Sequence, residues 1–182
     1  MTKTPELQTL HDVCARLAGA GIAYMLTGSL AMSYYARPRM TRDIDLVVAL
    51  EAAQADCLAD ALGADYHADR NAISSALQEG RPWNIVHLPS MVKVDLIPRK
   101  NTPYRRMEFD RRRRVELAGV NLWIVGVEDL ILSKLEWSRA SGSEQQQNDV
   151  KLLLEAPLDR IYLTKWAAQL GLSGMLREAG YE

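Results

Sequence analysis

Apolar residues return at helical spacing near the start of the chain. Leu7, Leu10, Val13, Cys14 and Leu17 fall on one face of a 3.6-residue period. Thr4-Pro5 supplies an N-cap and a first-turn proline, and Gly19 and Gly21 close the segment. The pattern then shortens. Ala23 to Thr27 is an apolar run that predicts a strand, interrupted by Gly28-Ser29, and Leu30 to Ala36 predicts a short helix stopped by Pro38. From Asp43 to Leu50 the period is two, with Ile44, Leu46 and Val48 on one side, as in a half-buried strand. Glu51 to Leu62 reads as a helix ended by Gly63, and a further helix is expected over 72–78. Trp83 to Leu88 and Val92 to Ile97 predict two strands joined through Pro89-Ser90-Met91. Val115 to Leu117 and Leu122 to Val125 predict a second hairpin around Ala118-Gly119-Val120-Asn121. Beyond Val127 the pattern is helical only, over Glu128–Arg139, Gln145–Glu155, Asp159–Leu170 and Ser173–Ala179.

This order predicts an α+β fold: a mixed sheet with flanking helices and a helical C-terminal tail. Residues 1–126 form the core and 127–182 an extension, which is too short to rely on a core of its own and is expected to pack on the first part. At 182 residues, 48% hydrophobic and 25% charged, the chain needs neither a disulfide nor a structural metal to fold. Cys14 and Cys57 lie far apart with no CxxC spacing, so both are expected to be small buried hydrophobes. The N-terminus lacks the apolar run of a signal peptide, and no stretch reaches the length of a membrane span. A cytoplasmic protein with no membrane partner is expected.

Three features carry candidate chemistry. Leu26-Thr27-Gly28-Ser29 ends a strand and opens a helix. Glycine lets the backbone approach a ligand, helix N-terminal N–H groups suit a phosphate, and the Ser29 hydroxyl adds a donor. The competing reading is an ordinary strand–helix turn. Next, Asp43 and Asp45 are two apart in a strand, so their carboxylates share a face. Side by side they repel, and either a proton or a cation must compensate. Such hard oxygen ligands suit Mg²⁺; otherwise both acids are simply solvated. Finally, Asp95 stands inside the apolar strand Lys93-Val94-Asp95-Leu96-Ile97. An acid there is costly unless it pairs or holds a metal. It makes a triad if its strand lies beside Asp43–Leu50; otherwise it pairs with an arginine or faces water.

Gly28-Ser29, a thirteen-residue spacer, Asp43-Ile44-Asp45 and a later acidic strand residue together resemble the DNA polymerase β-type nucleotidyltransferase superfamily. The fuller string, Thr27-Gly28-Ser29-Leu30-Ala31 with Arg39-x-Thr41-x-Asp43-Ile44-Asp45-Leu46, is most similar to small bacterial members, the AbiEii-type toxins and their relatives. A looser similarity extends to Lys134, Arg139 and Asp149. The resemblance implies a Mg²⁺-dependent nucleotidyltransferase. Asp43, Asp45 and Asp95 would be catalytic and would hold two ions, with Mn²⁺ an alternative. Gly28 and Ser29 would grip the β- and γ-phosphates of a nucleoside triphosphate, and Lys134 would contact the triphosphate. The acceptor hydroxyl would belong to an RNA such as tRNA or to a protein, in a toxin–antitoxin system with a cognate antitoxin. A small-molecule, aminoglycoside-type transferase is the enzymatic alternative. A non-catalytic, antitoxin-like module binding nucleotide or protein is the other.

Charge adds one element. The whole chain has net charge -1, yet Arg99 to Arg114 carries +6 and the remainder -7. That segment could gather phosphates of an RNA acceptor, or face an acidic surface. No aromatic ladder accompanies it. His11, His67 and His87 show no ligand spacing, and the four tryptophans read as packing anchors.

Overall fold

A computed structural model describes residues 4–37 and 41–181. Pro38, the expected stop of the second helix, and Arg39 and Met40, the start of the Arg39-x-Thr41 string, lie outside the described residues. Helix α1 (Pro5–Gly19) starts as its sequence requires, with the Thr4 hydroxyl accepting from Leu7 N at 3.4 Å. Strand β1 (Ala23–Thr27) leads straight into α2 (Gly28–Tyr35), and β2 covers Ile44–Ala49. The expected helix from Glu51 is split. A 3₁₀ turn (Ala52–Gln54) under a Glu51–Gln54 capping box precedes α3 (Ala55–Leu62). Next come β3 (Tyr66–His67), α4 (Arg70–Glu79), β4 (Trp83–His87) and β5 (Val92–Pro98). Then α5 (Pro103–Asp110), β6 (Arg113–Leu117) and β7 (Val120–Ile124) lead to α6 (Val127–Ser141), α7 (Glu144–Leu153), α8 (Arg160–Gln169) and α9 (Ser173–Glu178).

Three elements depart from the sequence reading. Strand β3 is two residues long and owes its existence to pairing with β4, which no local pattern announces. Helix α5 lies within the basic run. Its Thr102-Pro103 start repeats the Thr4-Pro5 signal, and the Thr102 hydroxyl accepts from Arg105 N at 3.3 Å. The second hairpin turns on two residues, Ala118 and Gly119, both at positive φ (51° and 76°), which brings Leu117 opposite Val120. That geometry matches the twist of the flanking strands. Cys14 is buried as expected, and burial pushes its thiol up to about 12; Cys57, expected to be buried, is exposed.

Among the described residues the strands form one mixed sheet in the order β3-β4-β5-β2-β1-β7-β6. Ile44, Leu46 and Val48 of β2 and Val92, Val94 and Leu96 of β5 are buried, joined by Tyr24 and Leu26 of β1. Helices α1, α3 and α4 pack in sequence, α1 also against β1 and β5 and α4 against β4, while α2 meets β1, β2, α6 and α7. The alternate positions, Asp45, Val47 and Ala49 on β2 with Lys93, Asp95 and Ile97 on β5, are only partly buried, and Asn84 on β4 is exposed. One face is thus closed by helices, and the other stays half open along β2 and β5, which is where charged side chains can reach a ligand. None of the helices formed by the described residues is long and apolar enough to cross a membrane.

Candidate functional site

The register of the central strands assembles the site. Thr27 pairs with Asp45 across the antiparallel β1–β2 ladder, Asp45 with Asp95 across the parallel β2–β5 ladder, and Asp95 with Asn84 across β5–β4. Directly paired residues point to the same side of a sheet, so one row carries Thr27, Asp45, Asp95 and Asn84. Asp43 lies just ahead of β2, its side chain largely exposed. The two acidic stretches, fifty residues apart, are thereby brought to one place.

Gly28 closes this row from the side. It sits at φ 67°, and a Cβ there would collide with the Asp45 carboxylate, 2.7 Å from its Cγ and 2.9 Å from its Cβ. Only glycine permits both the backbone conformation and the close approach. Ser29 occupies the first turn of α2 and is half-buried. The first N–H groups of a helix have no partner within it and carry a partial positive charge that favours an anion.

The acids are not electrically balanced. Burial, then Asp95 and Asp43, push the Asp45 carboxyl up to about 6, opposed by Lys134 and Lys93. Lys93, two residues before Asp95 on the same strand face, places Nζ 2.9 Å from Asp95 Oδ2 and 3.8 Å from Asp43 Oδ1. The hydrogen bond to Asp95 holds its ammonium above the usual lysine range. Asp95 therefore pairs with a lysine and not with an arginine. Lys134, on α6, is 4% exposed and donates to Asp149 Oδ2 at 2.7 Å and Gln146 Oε1 at 3.0 Å. Its charge reaches Asp45, and its position is fixed by the α6–α7 packing. Arg139, grouped with it on sequence grounds, instead reaches Leu170 O and Glu136.

Lys93 and Asn84 are the site residues that sequence reasoning passed over. The spacing of Lys93 and Asp95 carried the signal for the first. Asn84 required the hairpin register, which is fixed by the four-residue connection between His87 and Val92.

Among the described residues, no group of three or more His, Cys, Asp and Glu side chains is gathered to hold a metal ion. The residues present nevertheless suit one. The donor set is all carboxylate oxygen, as Mg²⁺ prefers, and the raised Asp45 marks a negative excess that a cation would relieve.

The basic run is largely committed elsewhere. Arg105 pairs with Glu108 and Glu136 and donates to Ser133 Oγ. Arg111 lies 3.3 Å from Glu128 Oε2 and 3.4 Å from Asp129 Oδ2, stacked 3.6 Å over the Tyr162 ring. Arg112 packs between Phe109 and Trp123, and Arg113 donates to the Tyr35 hydroxyl at 3.0 Å. These contacts fasten α5 and the following strand to α2, α6 and α8.

No protein-family model and no curated protein matches the sequence. Solved structures do. The antibiotic-resistance factor ANT(2'')-Ia in solution superposes with a TM-score of 0.57 at 11% identity, over 97% of this chain and 92% of that one. The same factor in complex with adenylyl-2''-tobramycin gives 0.52 at 13% identity, over 97% of both chains. An antigenic nucleotidyltransferase-like protein of Paracoccidioides brasiliensis gives 0.53 at 18% identity, over 96% of this chain and 93% of that one. The architecture is that of the nucleotidyltransferase fold.

Proposed function

We propose that this protein transfers a nucleoside monophosphate from a nucleoside triphosphate to a hydroxyl group. The observation that carries the reading is the packing of Gly28, at positive φ, directly against Asp45, with Asp95 in register beside it. A scaffold without chemistry has no need for an unbalanced carboxylate pair held by a glycine that admits no substitute.

In this reading Asp43, Asp45 and Asp95 are the metal ligands. Bound Mg²⁺, as two ions or with Mn²⁺ in its place, supplies charge neutralisation at the leaving pyrophosphate and polarises the acceptor oxygen. Gly28 and Ser29 seat the β- and γ-phosphates against the start of α2. Lys134 adds positive charge on the triphosphate side, with Asp149 fixing its reach. Asp95 takes the proton from the acceptor hydroxyl. The acceptor oxygen bonds to the α-phosphorus, the bond from that phosphorus to the bridging oxygen breaks, and pyrophosphate leaves. Positioning and charge compensation do most of the work. Residues 1–126 carry this machinery, and 127–182 contribute Lys134 and cover α2.

The acceptor we favour is a small polyhydroxylated or amino-sugar-like molecule. Two observations support it. The superposition with the tobramycin-adduct complex covers nearly the whole chain, and Arg105 and Arg111 are paired with internal acids and so cannot serve an RNA. A second reading keeps an RNA, tRNA or protein acceptor, a toxin-type AbiEii-like role and a cognate antitoxin. It rests on Lys100, Arg106, Arg113 and Arg114, which are exposed. Incubation with each α-labelled triphosphate and Mg²⁺, against an aminoglycoside panel, total tRNA and a cell lysate, separates them. Label on a small acceptor supports the first reading and label on tRNA or protein the second. No transfer to anything, with Mg²⁺ or Mn²⁺, would remove the enzymatic reading and leave a nucleotide- or protein-binding module in a cytoplasmic setting.

A further inference from the structure

We infer that Lys93 is a resident counter-ion, holding Asp43 and Asp95 while the site is metal-free and competing with a divalent cation for them. The inference rests on the reading of these acids as a metal site.

Lys93 and Asp95 project from the same face of β5, and Nζ lies 2.9 Å from Asp95 Oδ2 and 3.8 Å from Asp43 Oδ1. The ammonium therefore spans the two acids that come from different stretches of chain. One side chain thus pairs with two of the three carboxylates. It is also free to leave. Its side chain is 43% exposed, that of Asp43 60% and that of Asp95 26%, so the contact with Asp43 stands in water and that with Asp95 is only partly shielded. An ammonium is a compact point charge on a flexible stem, with no fixed fork to hold it in place. Lys134 contrasts in each respect, being 4% exposed and pinned by Asp149 and Gln146. A divalent ion among these acids would lie within a few ångströms of the Lys93 ammonium and repel it. Metal entry and departure of Lys93 are then one coupled event. The lysine sets how much metal the site needs, and it keeps the metal-free site from repelling itself open.

The test is Mn²⁺ binding to the full chain without nucleotide, followed by calorimetry and by loss of the free-ion electron-paramagnetic signal. Wild type is compared with Lys93→Met, Lys93→Gln, Lys93→Arg and Asp45→Asn. Removing the charge in Lys93→Met or Lys93→Gln should tighten Mn²⁺ binding by about tenfold, the scale of the repulsion between one ammonium and a doubly charged ion a few ångströms away in a wet setting. Lys93→Arg, which keeps the charge, should stay within about threefold of wild type. Metal-free Lys93→Met should also melt below wild type, with the gap closing at saturating Mn²⁺. Glutamine retains a polar partner for Asp95, so the comparison survives if the methionine variant fails to fold. Binding that is lost in Asp45→Asn but equal or weaker in both neutral variants would overturn the role of Lys93 alone. Absence of any Asp45-dependent Mn²⁺ binding in wild type and in both neutral variants would overturn the metal-site reading and this inference with it.

Discussion

Asp45 and Asp95 are direct partners across parallel strands, β2 and β5, with their carboxylates on the same half-open face of the sheet. Asp45 does not sit where a folded protein would place it for stability alone. Asp45 ionises only near pH 6, because burial and its acidic neighbours disfavour the charge. At neutral pH the ionised carboxylate therefore opposes folding. Asp45→Asn should raise the melting temperature of the metal-free protein, by about 1–2 kcal/mol of stability, while abolishing nucleotidyl transfer. Thermal melts with and without Mg²⁺ and a nucleoside triphosphate check both halves. A destabilised Asp45→Asn variant would contradict this electrostatic account.

Gly28 is the second determinant. Gly28→Ala places a Cβ into the Asp45 carboxylate at a backbone conformation alanine adopts poorly. The expected cost is at least about 1–3 kcal/mol, with displacement of Asp45 and a loss of activity of about a hundredfold or more. Gly80→Ala, also at positive φ but with nothing near its would-be Cβ, isolates the conformational part of that cost. Chemical denaturation and initial rates of the two variants separate strain from collision.

The Asp129 carboxyl gives a pH signature remote from the acids. It is fully buried on α6, accepts from the Tyr162 hydroxyl at 2.6 Å, and burial pushes it up to about 6. A raised value means the folded state holds the proton more tightly than the unfolded chain. The contribution of Asp129 is therefore full below about pH 4 and lost as the pH rises to about 6. A shift of this size corresponds to about 2–3 kcal/mol. Urea denaturation between pH 4 and 7 should show this downward slope in wild type and a flatter profile in Asp129→Asn.

The basic segment divides into structural and exposed arginines. Arg111→Met leaves Glu128 and Asp129 without their cationic partner in a buried setting and removes the stack on Tyr162. It should cost about 3–5 kcal/mol. Arg114→Gln, on the exposed edge strand, should change stability by no more than about 0.5 kcal/mol. If RNA is the acceptor, Arg113→Gln and Arg114→Gln should lower RNA binding and its salt dependence while leaving transfer to a small hydroxyl acceptor unchanged. Filter binding at several salt concentrations measures this.

Much of this protein was determined by local pattern. The period-two alternation of Ile44, Leu46 and Val48 defined both the strand and the side on which Asp45 emerges, because successive side chains in a regular strand point to opposite faces. Thr4-Pro5 and the helical spacing behind it defined α1 in the same way. What only the tertiary structure decided was which distant pieces meet. Strand β3 exists through its partner, the arginines of α5 are spent on acids from α6, and Lys93 and Asn84 join the acidic row through register across β4, β5 and β2. Sequence pattern reports how a residue relates to its own backbone, within a few positions along the chain. Pairing across the sheet and the partner of a charge depend on contacts closed over tens of residues, and it is that closure which turned much of a basic run into an internal brace and set Asp45 beside Asp95.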